Sequence, residues 1–169
     1  MDSKQDTIRV LGVDPGLNIT GYGVIDMRGR DLQIVEAGVV RGGARGDISE
    51  RVGRLYDGLK EVISQYSPQV MALEELYSHY QRPRTAILMG HARGVICLAA
   101  AKAEMPVYHY ASTQVKRMLT GNGRASKKQM QLSVAHEFGL PEPPDPPDVA
   151  DALAIAMCHC FFSRQTSVA

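Results

Sequence analysis

Apolar and polar positions alternate with a period of two in two stretches of the first forty residues, after a shorter run that is apolar throughout most of its length. Ile8 to Val13 is a short apolar stretch, and Gly21 to Met27 and Leu32 to Val40 are alternating, β-branched runs parted by Arg28-Gly-Arg-Asp31. Together they predict a three-stranded antiparallel meander. From Asp47 to Tyr66 the period becomes helical, with apolar residues at Val52, Leu55, Tyr56, Leu59 and Ile63, until Ser67-Pro68 ends the helix. Val70 to Leu73 then reads as a buried strand. Thr85 to Ala103 is a long Ala-rich helix, Pro106 to His109 a short strand, and Ser112 to Leu119 a helix opened by a Ser-Thr cap. Gly121-Asn-Gly123 breaks the chain before a helix over Lys127 to Phe138. Pro141 to Pro147 is a stiff linker, and Val149 to Phe162 is a strongly apolar closing helix.

Three contiguous strands followed by strands alternating with helices is the order of ribonuclease-H-like α/β folds. The expected architecture is a mixed five-stranded sheet, three strands antiparallel and then two parallel, flanked by helices. A chain of 169 residues fits one domain, with 1–7 and 163–169 as flexible ends. No apolar stretch is long enough to cross a bilayer, and Met1 to Thr7 lacks the basic and apolar blocks of a signal peptide, so a cytoplasmic protein is expected. Cys97, Cys158 and Cys160 show no paired spacing and read as buried small hydrophobes, without a disulfide framework or zinc site.

Net charge is +1, which conceals a division along the chain. Residues 1–77 carry −3, residues 78–128 carry +8 and residues 129–169 carry −4. A basic segment between acidic ones suits an enzyme that must hold both phosphates and divalent cations, although a solvated basic face would give the same count.

The acidic residues are placed distinctively. Asp14 ends the first strand in Leu11-Gly-Val-Asp-Pro-Gly16, where a side chain projects into the crevice at the sheet's edge. An Asx turn would explain it equally well. Glu74 and Glu75 end the buried strand, and alternation allows only one of them to share a face with Asp14. Asp148 and Asp151, three apart at the start of the last helix, share a face and favour the helix dipole, and Asp148 alone could be an N-cap. That helix is too apolar for a surface, so its acidic start should reach the rim of the sheet. Such a set would make an oxygen-rich pocket for Mg²⁺ or Mn²⁺, as in two-metal phosphoryl transfer with ions about 4 Å apart. No Gly-x-Ser-x-Gly, Walker loop or evident Cys-His pairing offers another chemistry. The histidines, His79, His91, His109, His136 and His159, show no ligand spacing.

The ordered set Gly12-Val-Asp-Pro-Gly16, Thr20-Gly-Tyr-Gly23, Ala72-Leu-Glu-Glu75, Gly90-His-Ala-Arg-Gly94, Gln114-Val-Lys116, Gly121-Asn-Gly123 and Asp148-Val-Ala-Asp-Ala-Leu-Ala-Ile-Ala156 resembles the RuvC family of Holliday-junction resolvases over roughly Ile8 to Cys160. The resemblance implies a structure-specific endonuclease of DNA recombination and repair that makes paired symmetric nicks in four-way junctions. It implies Asp14, Glu74, Asp148 and Asp151 as catalytic ligands of two Mg²⁺ ions, with Mn²⁺ able to substitute. Lys116 and Lys127 match basic residues at the DNA backbone and active site, and Tyr77 an aromatic that stacks on unpaired bases. Arg82, Arg84, Arg124 and Lys128 are DNA contacts on charge alone. A homodimer, working with a RuvA–RuvB branch-migration complex, is also implied. Ala86, Gly90, Gly94, Cys97 and Ala101 make a stripe of small residues on the long helix, suited to a dimer interface or to packing on the protein's own sheet.

Three rivals remain at the level of sequence. An actin-like or sugar-kinase ATPase opens with similar residues, but its two-domain body exceeds this length. A ribonuclease-H-like nuclease of precursor ribosomal RNA shares the carboxylates. A non-catalytic junction-binding module is disfavoured, because unneeded carboxylates repel phosphates.

Overall fold

The computed structural model describes residues 7–76 and 82–167. Three strands come first, β1 (Ile8–Asp14), β2 (Ile19–Arg28) and β3 (Asp31–Arg41), then α1 (Ile48–Tyr66) and β4 (Val70–Glu74). They are followed by α2 (Pro83–Lys102), β5 (Val107–Tyr110), α3 (Ser112–Thr120), α4 (Lys127–Glu137) and α5 (Pro147–Ser167). The sheet order is β3-β2-β1-β4-β5. The first three strands are antiparallel, whereas β4 runs parallel to β1 and β5 parallel to β4. This is the mixed five-stranded sheet expected from the pattern. The β2–β3 hairpin turns on two residues, with Gly29 at φ +57°, the left-handed conformation such turns require.

Alternation divides the strands between two apolar layers. Val10, Ile25 and Ala72 face α3, α4 and α5, while Leu11, Val13, Val24, Met71 and Leu73 face α1 and α2. Strands covered on both faces must be apolar throughout, hence the unbroken runs in β1 and β4. α5 lies directly on β1 and β2 because Gly12, Gly21 and Gly23 leave it room. A Cβ on Gly23 would stand 2.6 Å from Leu153, and one on Gly12 2.7 Å from the Ala156 Cβ. A Cβ on Gly21 would collide with the Asp148 carbonyl.

Several local expectations are corrected. α3 is not capped by a Ser-Thr pair: Ala111 is its N-cap, no side chain caps it, and Ser112 is the first helical residue. The reciprocal cap instead opens α4, where Ser126 Oγ accepts from Gln129 N at 3.2 Å and Ser126 N donates to Gln129 Oε1 at 2.8 Å. Pro147 takes the first position of α5, which places Asp148 inside the first turn rather than at the cap. α5 also continues past Phe162 to Ser167. Cys158 and Cys160 are buried as expected, but Cys97 is only partly so.

The stripe on α2 is decided by which side faces inward. Ala92, Ile96, Ala99 and Ala100 meet the core, while a Cβ on Gly90 or Gly94 would touch nothing. The glycines therefore lie on the outer side of α2, not against the protein's own sheet.

Candidate active site

β1 and β4 lie side by side, and their last paired residues are Val13 and Leu73. Asp14 and Glu74 follow immediately, at the point where the two strands deliver adjacent carboxylates to one edge of the sheet. α5, seated on the glycines, brings Asp151 to the same edge. The result is a cleft of about 210 Å³ lined by Asp14, Glu74 and Asp151, with Lys116 from α3 and Lys127 from α4. Its floor and walls are completed by Ser112, Val115, Met130, Ala154 and Ile155. Asp148 does not line the cleft, but its charge acts on Asp14. Glu75 is exposed, so alternation selects Glu74.

The electrostatics record how strongly these groups crowd one another. Burial, then the charges of Glu74, Asp151 and Asp148, raise the Asp14 pKa to about 8, against a smaller opposing pull from Lys127. Glu74 is raised as well, chiefly by burial and by Asp151, while a hydrogen bond with Asp14 and the positive charges of Arg93 and Lys116 work the other way. Lys127 Nζ stands 3.1 Å from Asp151 Oδ2, and that contact holds the ammonium above its ordinary range. A lysine is thus already drawn in to relieve the excess negative charge.

Among the described residues no three His, Cys, Asp or Glu side chains form a ready ligating cluster. The donor chemistry nevertheless fits a hard divalent ion: three partly buried carboxylates outnumber the two lysines that line the same cleft.

Arg124 and Lys128 are exposed, the first just before α4 and the second in its first turn beside Lys127; Arg82 and Arg84 are exposed at the start of α2. Tyr77 and His79 lie outside the described residues. Arg93, in the middle of α2, was assigned no role by the sequence. Its guanidinium donates to the backbone carbonyl of Glu74 and contacts His109 Nδ1 at 3.1 Å. Only its place within Gly90-His-Ala-Arg-Gly94 hinted at it. His159, buried, bonds through Nδ1 to the Tyr110 hydroxyl at 2.7 Å and takes no part in the cleft.

A mixed sheet with an antiparallel meander, carrying a lysine-flanked carboxylate cleft where its central parallel strands end, is the ribonuclease-H-like architecture expected from the order of elements. The profile of the family described as crossover junction endodeoxyribonuclease RuvC matches residues 10–159. A crossover junction endodeoxyribonuclease RuvC of Rhodopirellula baltica is 55% identical over 155 residues, covering 92% of this chain and 87% of that protein. That of Desulforamulus reducens is 44% identical over 154 residues, covering 91% and 94%. Among solved structures, Thermus thermophilus RuvC in complex with a Holliday junction substrate superposes with a TM-score of 0.88 at 37% identity, covering 95% of this chain and 97% of that one. The yeast mitochondrial Holliday junction resolvase Ydc2 shares the fold, with a TM-score of 0.69 at 16% identity, covering 99% and 83%. The chain belongs to the RuvC family of crossover junction endodeoxyribonucleases.

Proposed function

We propose that the chain is a single RuvC-type nuclease domain that resolves four-way DNA junctions as a homodimer, by divalent-metal-assisted phosphodiester hydrolysis. The convergence of Asp14, Glu74 and Asp151 in one cleft between Lys116 and Lys127 carries this reading. Asp14, Glu74 and Asp151, with Asp148 beside them, would hold two Mg²⁺ ions, and Mn²⁺ would substitute. Bound divalent ions supply Lewis-acid polarisation of the phosphate and a nucleophilic water at neutral pH. Lys127 remains cationic at neutral pH and, once Asp151 has another counter-charge, is free to meet a phosphate. Lys116, on α3 at the same cleft, offers a second cationic contact to the strand. Arg82, Arg84, Arg124 and Lys128 extend the basic surface, and Tyr77 supplies the stacking aromatic. Family membership supports the RuvA–RuvB branch-migration proteins as the expected partners and the cytoplasm as the expected place of action.

A four-way junction is nearly two-fold symmetric, so two copies of one site must be presented to it. The outer stripe of α2 suits that pairing. Ile87 and Leu98 are 63% and 48% exposed on the same side as the open Gly90 and Gly94, so a second copy could approach closely between two apolar anchors. Ile87→Glu should convert the dimer to a monomer by light scattering, with paired nicking lost. An unchanged dimer would move the interface elsewhere.

The proposed activity is tested with a synthetic four-way junction and a linear duplex of matched sequence, each with and without Mg²⁺. Paired nicks confined to the junction and dependent on the metal are expected. Equal cutting of both substrates would mark a general nuclease, and binding without cutting a recognition module.

A further inference from the structure

The contacts of Arg93 have no role in the reading above, and they are made at the point where the cleft is built. β4 has lost its pairing with β1 by Glu74, since Val13–Leu73 is the last pair. On its other side β4 is still held by β5: Glu74 is in register with Tyr110, and Glu75 N donates to the Tyr110 carbonyl at 2.9 Å. Glu74 is thus anchored from one side only, at the residue whose carboxylate must face Asp14. The Arg93 guanidinium adds the missing constraint. One amino group donates to the Glu74 carbonyl and the other reaches His109 Nδ1 on β5, so a planar fork spans the ends of both strands. Arg93 itself is partly buried on a helix fixed to the core through Ala92 and Ile96. Its charge also favours the ionised form of Glu74 against burial.

We propose that Arg93 is a positioning residue for cleavage, clamping the end of β4 so that the Glu74 carboxylate stands opposite Asp14, and acting through Glu74 rather than on DNA. The inference rests on the metal-dependent nuclease reading. Groups that orient a ligand from behind typically cost about 10–100-fold in metal affinity or activity when removed. Alanine at 93 removes both charge and fork, whereas lysine keeps the charge as a flexible point and loses the fork.

The test compares Arg93→Ala and Arg93→Lys with the unsubstituted protein in three measurements: Mn²⁺ binding by calorimetry without DNA, junction affinity by fluorescence anisotropy in EDTA, and single-turnover cleavage across a Mg²⁺ series. Arg93→Ala should weaken Mn²⁺ binding and slow cleavage by about tenfold or more, with partial recovery at high Mg²⁺, and Arg93→Lys should fall between. Junction affinity should stay within about twofold for both. On a Glu74→Gln background, Arg93→Ala should have no further effect on Mn²⁺ binding, because the residue through which it acts is already disabled. A loss confined to junction affinity, an equal loss on the Glu74→Gln background, or Mn²⁺ binding and cleavage at the unsubstituted level would each overturn the proposal. If the unsubstituted protein cut no junction while Arg93→Ala still weakened Mn²⁺ binding, the functional reading would fail and the clamp would stand.

Discussion

Asp14→Asn is expected to abolish cleavage and, in the absence of divalent metal, to make the protein more stable. Loss of a carboxylate that holds the metal should cost at least about three orders of magnitude in single-turnover rate, or ~4 kcal/mol of transition-state stabilisation. The stability gain follows from the same crowding. In the fold the Asp14 pKa is raised to about 8, whereas in the unfolded chain it returns to the ordinary carboxylate range. Folding therefore favours the protonated form. The stability this group contributes is fully present in acid, below its unfolded value, and is lost as pH rises toward and through about 8. Asparagine cannot ionise, yet its amide can still donate to Glu74 as the protonated aspartate does. At pH 8 in EDTA the variant should gain roughly 2 kcal/mol, or about 4–8 °C in Tm for a domain of this size, and the gain should shrink towards pH 5. Mg²⁺ should reverse the ranking by stabilising only the protein that binds it. Melting curves at pH 5, 6.5 and 8, with EDTA and with Mg²⁺, decide the matter. A variant less stable at pH 8 without metal would mean that Asp14 is not strained by its neighbours, and with that the cleft would lose its claim to be built for a cation.

Much of this arrangement could be read from residue order, because the constraints on it are local. β-branched alternation marks β2 and β3, unbroken apolar runs mark the doubly covered β1 and β4, and an acidic residue at the end of each apolar segment marks where the sheet's edge must be charged. Glu74 was separable from Glu75 by alternation and resemblance together, and the structure puts Glu74 in the cleft and leaves Glu75 exposed. Contacts between distant parts of the chain were not legible. Arg93 and Glu74 are nineteen residues apart and meet only because α2 and β4 share the core layer of Ala92, Ile96, Met71 and Leu73. The Ser-Thr pair at 112–113 looked like a cap since the residue types are right, but the chain turns one residue earlier, at Ala111. Asp148 and Asp151 share a helical face, as their spacing requires. Only Asp151 lines the cleft, because the seating of α5 on Gly21 sets how far its first turn reaches.

That seating makes Gly21 the position where a single methyl should do most damage. Gly21 pairs with Asp14 across the β1–β2 ladder and, on the face toward α5, leaves space that the Asp148 backbone occupies. A Cβ placed there meets the Asp148 carbonyl, which is backbone and cannot rotate away as a flexible side chain could. Either β2 must bend out of the sheet or the start of α5 must lift from it. Lifting α5 carries Asp148 and Asp151 away from Asp14 and Glu74, so Gly21→Ala should lose stability and catalysis together. Overpacking of this kind costs about 1–3 kcal/mol and occasionally more, with a Tm lower by roughly 2–12 °C. Cleavage should fall by about 100-fold or more, since a displacement near 1 Å is enough for that. Gly53, in α1, provides the control: a Cβ there meets nothing within 4 Å, so Gly53→Ala should leave cleavage intact and stabilise the helix by about 0.5–1 kcal/mol. If Gly21→Ala kept full activity at a normal Tm, α5 would not be held on β2 by the missing side chain, and the glycine-lined seat would not be what brings the last carboxylates to the first.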